Sequence, residues 1–118
     1  MAWFAAHAIL YFKFKDKKQN RFPLWENIYL IWAETDAAAW RKATRLGRQF
    51  SGKPSDKTIF DGRPAVLTFA GIRKIISCSP KSRIIDGTEA TYSVMEVSNR
   101  QELNKLLKGT PVSVKYRE

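Results

Sequence analysis

Residues 26–43, with the sequence ENIYLIWAETDAAAWRKA, contain the change from strand to helix that decides the fold. The first part belongs to a run over residues 25–34 that is rich in Ile, Leu, Tyr and Trp and mostly apolar on both faces. This pattern predicts a strand in the interior of a sheet. Thr35 is a good N-cap and Asp36 complements the helix dipole, so we predict a helix over residues 37–50.

This helix has an apolar side and a basic side. Residues at helical spacing predict the side that packs on the sheet: Ala39, Ala43, Leu46 and Phe50. Trp40 and Gly47 flank this stripe. The opposite side carries no acidic residue and forms a cationic stripe: Arg41, Lys42, Arg45 and Arg48.

A long first strand is predicted over residues 3–15, where side chains alternate between two faces. One face is entirely apolar and is predicted to face the core: Phe4, Ala6, Ala8, Leu10, Phe12 and Phe14. The other face is mixed, and its apolar members are predicted to lie at an interface with a partner: Trp3, Ala5, Ile9 and Tyr11. Because a polar loop joins this strand to residues 25–34, we predict that the two pair antiparallel.

The remainder of the chain supplies further strands and a second helix. Strands are predicted over residues 58–60, 65–78, 88–97 and 112–116. Gly71 interrupts the second of these and indicates a bulge or bend. Ser98 and Gln101 form a capping box that begins the second helix. We therefore predict one α+β domain over residues 1–118, ordered strand-strand-helix-strand-strand-helix-strand, with a mainly antiparallel sheet of about five strands and helices packed on one face.

The chain is strongly basic. Its 118 residues include 21 Lys and Arg against 11 Asp and Glu, a formal net charge of +10. Four basic residues outside the first helix would widen the cationic stripe: Arg73, Lys74, Lys81 and Arg83. Such a stripe beside exposed aromatic residues suits phosphates and bases, although no named nucleic-acid-binding motif is present.

Residues able to carry chemistry are few. The single Cys78 excludes a disulfide framework and a zinc module, and it is predicted to be a small buried side chain. His7 lies among apolar residues and is predicted to be a strand histidine rather than a catalytic base. Because Walker, GxGxxG and nucleophile-elbow motifs are also absent, we predict no enzymatic activity, no metal and no cofactor. The apolar residues 1–12 are too short to span a bilayer and follow no basic segment, which predicts a cytoplasmic location without a membrane span.

Several stretches, taken in order, resemble a known family. They are WFAA at residues 3–6, the strand and helix of residues 26–43, FAGI at residues 69–72, and DGTE at residues 86–89 followed by Tyr92 and Ser93. The family consists of small uncharacterised bacterial proteins classed as a domain of unknown function. The resemblance covers roughly residues 3–93 and implies a small α+β domain without an established activity. The basic helix face departs from the family pattern, which usually has Glu there.

The apolar strand faces favour a protein-interaction module. Two helices cannot cover every apolar face, and the uncovered surface would be a larger patch than monomers usually expose. The leading hypothesis is a small, basic, non-enzymatic module of adaptor, inhibitor or immunity type, whose partner is an acidic protein or a second copy in a homodimer. Nucleic-acid binding through the cationic helix face is the alternative.

Overall fold

A computed structural model describes residues 1–16 and 18–118, and its largest element is a four-stranded antiparallel sheet. The strands are β1 (Ala2–Phe14), β2 (Leu24–Ala33), β3 (Ile59–Phe60) and β4 (Arg63–Ser79). Their spatial order is β2-β1-β4-β3. The predicted antiparallel pairing of the first two strands is confirmed, since Ala2 faces Ala33 and Tyr11 faces Leu24.

The position of β2 differs from the prediction. An interior strand was expected because both of its faces are apolar, but β2 lies at the edge of the sheet and has only β1 beside it among the described residues. The reason is the pairing of β1, which has β2 on one side and β4 on the other. The central position in the sheet therefore belongs to β1. The outer edge of β2 therefore has no neighbouring strand in the described part of the chain.

The first helix, α1 (Asp36–Gln49), packs on one face of the sheet. Its predicted N-cap is confirmed, because Thr35 Oγ1 accepts a hydrogen bond from the backbone N–H of Ala38 at 3.1 Å. The core between α1 and the sheet contains small helix residues against larger strand residues: Ala39 and Ala43 with Phe4, Ala6, Ile31 and Ala33. All six even-numbered β1 side chains predicted to face the core are buried.

A bulge in β4 is confirmed at the predicted place. The pairing register of β1 with β4 shifts on both sides of the Ile9–Gly71 pair. Gly71 has φ of +153°, a backbone conformation that residues with a side chain rarely adopt. The bulge sets the direction of the neighbouring Arg73 and Lys74, which contact the face of the sheet opposite α1.

The C-terminal part forms a separate small layer. A two-stranded sheet joins β5 (Met95–Glu96) to β6 (Lys115–Tyr116), with α2 (Arg100–Lys108) between them in sequence. Helix α2 has no buried residue, so only α1 fills the packing role expected of both helices. The N-cap is Asn99, one residue after the predicted Ser98; its side chain accepts from the backbone N–H of Glu102 at 2.9 Å.

Residues 80–94 do not form the long strand predicted over residues 88–97. Only Met95–Glu96 is strand, while the preceding segment is fixed to the sheet through side chains, including His7 to Thr91 and Lys74 to the carbonyl of Tyr92. These contacts hold the segment across the sheet face opposite α1. The class is nevertheless the predicted one, an α+β domain with a mainly antiparallel sheet.

Candidate functional site

The exposed side of α1 combines arginines with an aromatic ring. Arg41, Arg45 and Arg48 are all exposed, and none has a carboxylate oxygen within 4 Å among residues 1–16 and 18–118. An open cavity of about 590 Å3 lies along this side and is lined by Trp40, Arg41, Thr44, Arg45, Arg48 and Gln49. We name these six residues the α1 surface.

Two residues of α1 behave differently from the expectation. Lys42 is half-buried and its Nζ donates to the carbonyl oxygen of Trp32 at 2.6 Å, so it belongs to the contact between helix and strand rather than to the stripe. Trp40 was expected beside the buried stripe, but its side chain is 41% exposed. In the described part of the chain its ring has neither an aromatic nor a cationic partner. Its exposure depends on how α1 is rotated on the sheet, which the sequence does not reveal.

Arg73 and Lys74 lie on the opposite face of the sheet from the α1 surface, where carboxylates neutralise them. Arg73 donates to Glu26 and to Glu118, and Lys74 donates to the same Glu118. The guanidinium of Arg73 also lies 4.4 Å from the ring centroid of Tyr116. Arg73 and Lys74 were predicted to widen the cationic stripe of α1. The structure instead places them on the other face of the sheet, away from that stripe.

Glu118 and Glu26 are held in the ionised form by these contacts. The hydrogen bonds from Lys74 and then Arg73 lower the pKa of Glu118 from 4.5 to about 2. Burial by itself raises the pKa of Glu26, but the hydrogen bond and charge of Arg73 outweigh it and leave the pKa below its ordinary value. Glu118 thus anchors the chain after β6 to Arg73 and Lys74 of β4, and Glu26 joins β2 to the same Arg73.

His7 lies fully buried at the centre of this ionic cluster. Its Nε2 is 2.5 Å from Thr91 Oγ1, and its Nδ1 is 3.6 Å from Glu26 Oε1 and has no hydrogen-bond partner among the described residues. Burial lowers the pKa of His7, and the nearby Lys74 and Arg73 add to this against the attraction of Glu26. The imidazole is therefore kept neutral.

A hydroxyl, an imidazole and a carboxylate in this order resemble the arrangement used in nucleophilic catalysis. The chemistry would also need space for a substrate beside Thr91. The two largest cavities described, of about 590 and 540 Å3, are lined by other residues and open on neither Thr91 nor His7. The contact between His7 and Thr91 joins the segment of residues 80–94 to the sheet.

The two remaining predicted basic residues, Lys81 and Arg83, are exposed in the loop after β4. The carbonyl oxygen of Ser82 between them accepts a hydrogen bond from Trp3 Nε1 at 3.1 Å. This contact fixes the loop at the start of β1. Neither cation has a carboxylate partner in the part of the chain that the structure describes.

An apolar surface lies on β2, on the sheet face opposite α1. Leu24, Ile28 and Leu30 point to this face and are 52%, 45% and 44% exposed. We name these three residues the apolar edge. The partner-contacting residues predicted from the sequence lie on β1 instead. The alternation within β2 already put Ile28 and Leu30 on one face, but their exposure follows from the edge position.

The interface residues predicted on β1 are less accessible. Trp3, Ile9 and Tyr11 are half-buried, and the ring centroid of Trp3 lies 5.3 Å from that of Trp32. Ala5 is completely buried, so its prediction as a partner-contacting residue is wrong. Its short side chain lies on the central strand of the sheet, between neighbouring strands that carry longer side chains.

Comparison with known proteins identifies the family. Residues 3–93 match the family model described as "Domain of unknown function (DUF4288)". The chain belongs to this family. No curated protein and no solved structure matches it.

The matched part of this DUF4288 chain contains β1 to β4, α1 and Thr91, and it ends before β5, α2 and β6. The α1 surface, the apolar edge and the His7–Thr91 contact therefore all lie within the family domain. Glu118, which neutralises Arg73 and Lys74, lies outside it.

Residues 1–16 and 18–118 contain neither a metal-binding cluster nor a helix that could span a membrane. No three His, Cys, Asp or Glu side chains converge as a metal-binding group in this part of the DUF4288 chain. Neither of its two described helices has the length and apolar character needed to cross a membrane.

Proposed function

We propose that this DUF4288 domain is a non-enzymatic protein-interaction module that associates with a second copy of itself through β2. The observation that carries this proposal is the apolar edge on a ten-residue edge strand. Long, exposed, apolar edge strands are templates for pairing with another chain unless charges, prolines or a covering segment protect them. Between Leu24 and Ala33 there is neither a proline nor a basic residue.

The charge distribution permits a second copy to approach at β2. With a net charge of +10, two copies repel each other over most of their surfaces. The one charged residue of β2 is Glu26, and its carboxylate is paired with Arg73 of the same chain. Two β2 strands can thus approach without bringing like charges together.

Pairing of two β2 strands defines the geometry of the dimer. An isologous antiparallel pair requires a two-fold axis perpendicular to the sheet, and it joins two four-stranded sheets into one. The apolar edges of the two copies would then lie side by side on one face of the continuous sheet. Both α1 helices would lie on the other face.

A role without catalysis is supported by the surroundings of His7. This residue is the one histidine of the chain, it is fully buried, and the principal cavities open elsewhere. Within an interaction role, the adaptor, inhibitor and immunity types and an acidic protein partner stay predictions. A bacterial source and a cytoplasmic location stay predictions as well.

Light scattering coupled to size-exclusion chromatography tests the proposal. The wild-type protein is expected at twice the 13.6 kDa mass of one chain, with the dimer persisting at high salt because its contacts are apolar and main-chain. Leu30→Lys places a charge on the apolar edge and is expected to give a monomer. Leu107→Lys is the matched control, since Leu107 is 76% exposed on α2 and away from the sheet edge.

Circular dichroism must show that both variants keep the wild-type fold. A wild-type protein that stays monomeric at high concentration would overturn the homodimer. The same conclusion follows if Leu107→Lys dissociates the dimer as fully as Leu30→Lys, because the contact would then lie outside β2.

A further inference from the structure

We infer that the α1 surface binds single-stranded nucleic acid, with arginine side chains on the phosphates and the ring of Trp40 stacked on a base. This activity is separate from self-association through β2, because α1 and the apolar edge lie on opposite faces of the sheet.

The three arginines supply the phosphate contacts. Arg41, Arg45 and Arg48 lie at i, i+4 and i+7, so they follow one side of the helix over two turns. With a rise of about 1.5 Å per residue, their Cα atoms extend over roughly 10 Å along the axis. Since no carboxylate within the described residues neutralises them, their donors are available to successive phosphates.

Trp40 distinguishes a nucleic acid from other anions. Its side chain is 41% exposed beside the arginines, although a large aromatic ring on this helix could have been buried against the sheet. A base face stacks on such a ring and strengthens binding without sequence preference. An anion that carries only carboxylates, such as polyglutamate, would be attracted by the arginines but has no ring to stack on the indole.

The strand must be single because its bases have to be accessible. In a duplex, base faces are stacked on each other and cannot meet Trp40, whereas the bases of a single strand can turn outward. The open cavity of about 590 Å3 along the α1 surface leaves space for one base beside Trp40. Thr44 and Gln49 at its margin offer neutral hydrogen-bonding groups to base edges.

Fluorescence anisotropy of labelled oligonucleotides tests the inference. The wild-type protein is titrated against a short single-stranded DNA, an RNA of the same sequence, the matching DNA duplex, and polyglutamate as unlabelled competitor, each at several salt concentrations. We expect the single strands to bind more tightly than the duplex, with affinity falling as salt rises. Polyglutamate is expected to compete poorly.

Replacing the arginines measures the phosphate contacts. The triple variant Arg41→Gln, Arg45→Gln, Arg48→Gln is expected to reduce the slope of log K against log salt by about 2, because each phosphate contact of a single strand contributes roughly 0.7. The control triple variant changes three exposed lysines by the same net charge: Lys57→Gln, Lys108→Gln and Lys115→Gln. Its slope is expected to stay near the wild-type value.

Replacing the ring measures stacking separately. Trp40→Ala is expected to lower affinity by about 5-fold to 150-fold with an unchanged salt slope, and Trp40→Phe to retain most of the binding. Far-ultraviolet circular dichroism and a thermal transition verify that each variant is folded.

Three outcomes would overturn the inference: equal weakening by the two triple variants, binding unaffected by Trp40→Ala, or a duplex or polyglutamate bound as well as a single strand. The last outcome would point to an anionic duplex or protein partner. These outcomes do not test the homodimer, which is measured separately by light scattering. Leu30→Lys, which is expected to dissociate the dimer, is expected to leave oligonucleotide binding unchanged.

Discussion

Nε2 of His7 lies 2.5 Å from Thr91 Oγ1, and this contact joins residues 84 positions apart in the chain. It connects the centre of the sheet to the segment of residues 80–94 on the face opposite α1. His7 is buried from solvent, and three charged groups act on its imidazole: Glu26, Lys74 and Arg73. The stability of the domain should consequently depend on pH in a way that single residues control.

The buried imidazole should make the domain less stable as pH falls from 7 to 5. Because burial holds the pKa of folded His7 below its ordinary value of 6.5, the unfolded chain binds more protons than the folded chain as pH falls below 7. The unfolding free energy then rises with pH, by at most about 1.4 kcal/mol per pH unit for one proton. Denaturant unfolding at several pH values measures this slope.

His7→Gln is the matched variant, since an amide can still form a hydrogen bond with Thr91 and has no proton to gain. As His7 is the single histidine of the chain, the slope between pH 5 and 7 should largely disappear in this variant. An unchanged slope would mean that His7 is not responsible for it.

Glu118 should control a separate, more acidic range. Its pKa is lowered from 4.5 to about 2, so its contribution to stability is present above pH 4.5 and is lost as pH falls towards 2. Glu118→Gln should reduce the loss of stability in that range and weaken the attachment of β6 at neutral pH, which hydrogen exchange can follow. Glu102→Gln is the control, because the Glu102 carboxylate pairs with Lys105 on exposed α2. Equal effects of the two variants would contradict the proposed anchoring by Glu118.

Gly47 is required where α1 approaches β4. A Cβ atom at this position would lie 2.3 Å from Cε1 of Phe69, so the ring or the helix would have to move. Overpacking of this kind costs about 1–3 kcal/mol, and the better helix propensity of Ala returns about 1 kcal/mol. We expect Gly47→Ala to destabilise the domain by about 1 kcal/mol, measured by urea unfolding.

Two further variants test the contact with Phe69. Gln49→Ala, on the exposed side of α1, should change stability by no more than about 0.5 kcal/mol. Gly47→Ala should cost clearly less in a Phe69→Leu background, because the ring that it meets is gone. A Gly47→Ala cost that is the same in both backgrounds would show that Phe69 is not the obstacle.

Cys78 should react slowly in the folded protein. Its Sγ lies 3.3 Å from the carbonyl oxygen of Trp3, and burial raises the pKa of the thiol, so little thiolate is present at pH 8. Alkylation by iodoacetamide, followed by mass spectrometry, should be several-fold slower in the native protein than in denaturant. As the chain has one cysteine, a single adduct reports the site; equal native and denatured rates would contradict the expected protection.

Features that depend on neighbours in the sequence were predictable. Thr35 caps α1 through a backbone group three residues away. Gly71 marks the bulge because glycine readily adopts the backbone conformation found there. The apolar parity of β1 identified the buried side from Phe4 to Phe14, since alternation along a strand fixes which side chains share a face.

Features that depend on distant contacts were not predictable. The roles of Arg73 and Lys74 changed because Glu118 and Glu26 approach them only in the folded chain. The N-cap of α2 is Asn99 rather than Ser98; both residue types form caps, so residue type alone does not select between neighbours.

The sequence by itself determined the α+β class, the strand-to-helix transition after β2, and the basic composition of α1, because periodicity, capping and charge are local properties. Tertiary structure alone decided that β2 is an edge strand and that Trp40 is exposed among the α1 arginines. The physical reason is that exposure is the area left after all other elements have packed. An apolar face therefore predicts burial in an interior strand, whereas the apolar residues Leu24, Ile28 and Leu30 of the edge strand β2 stay partly exposed.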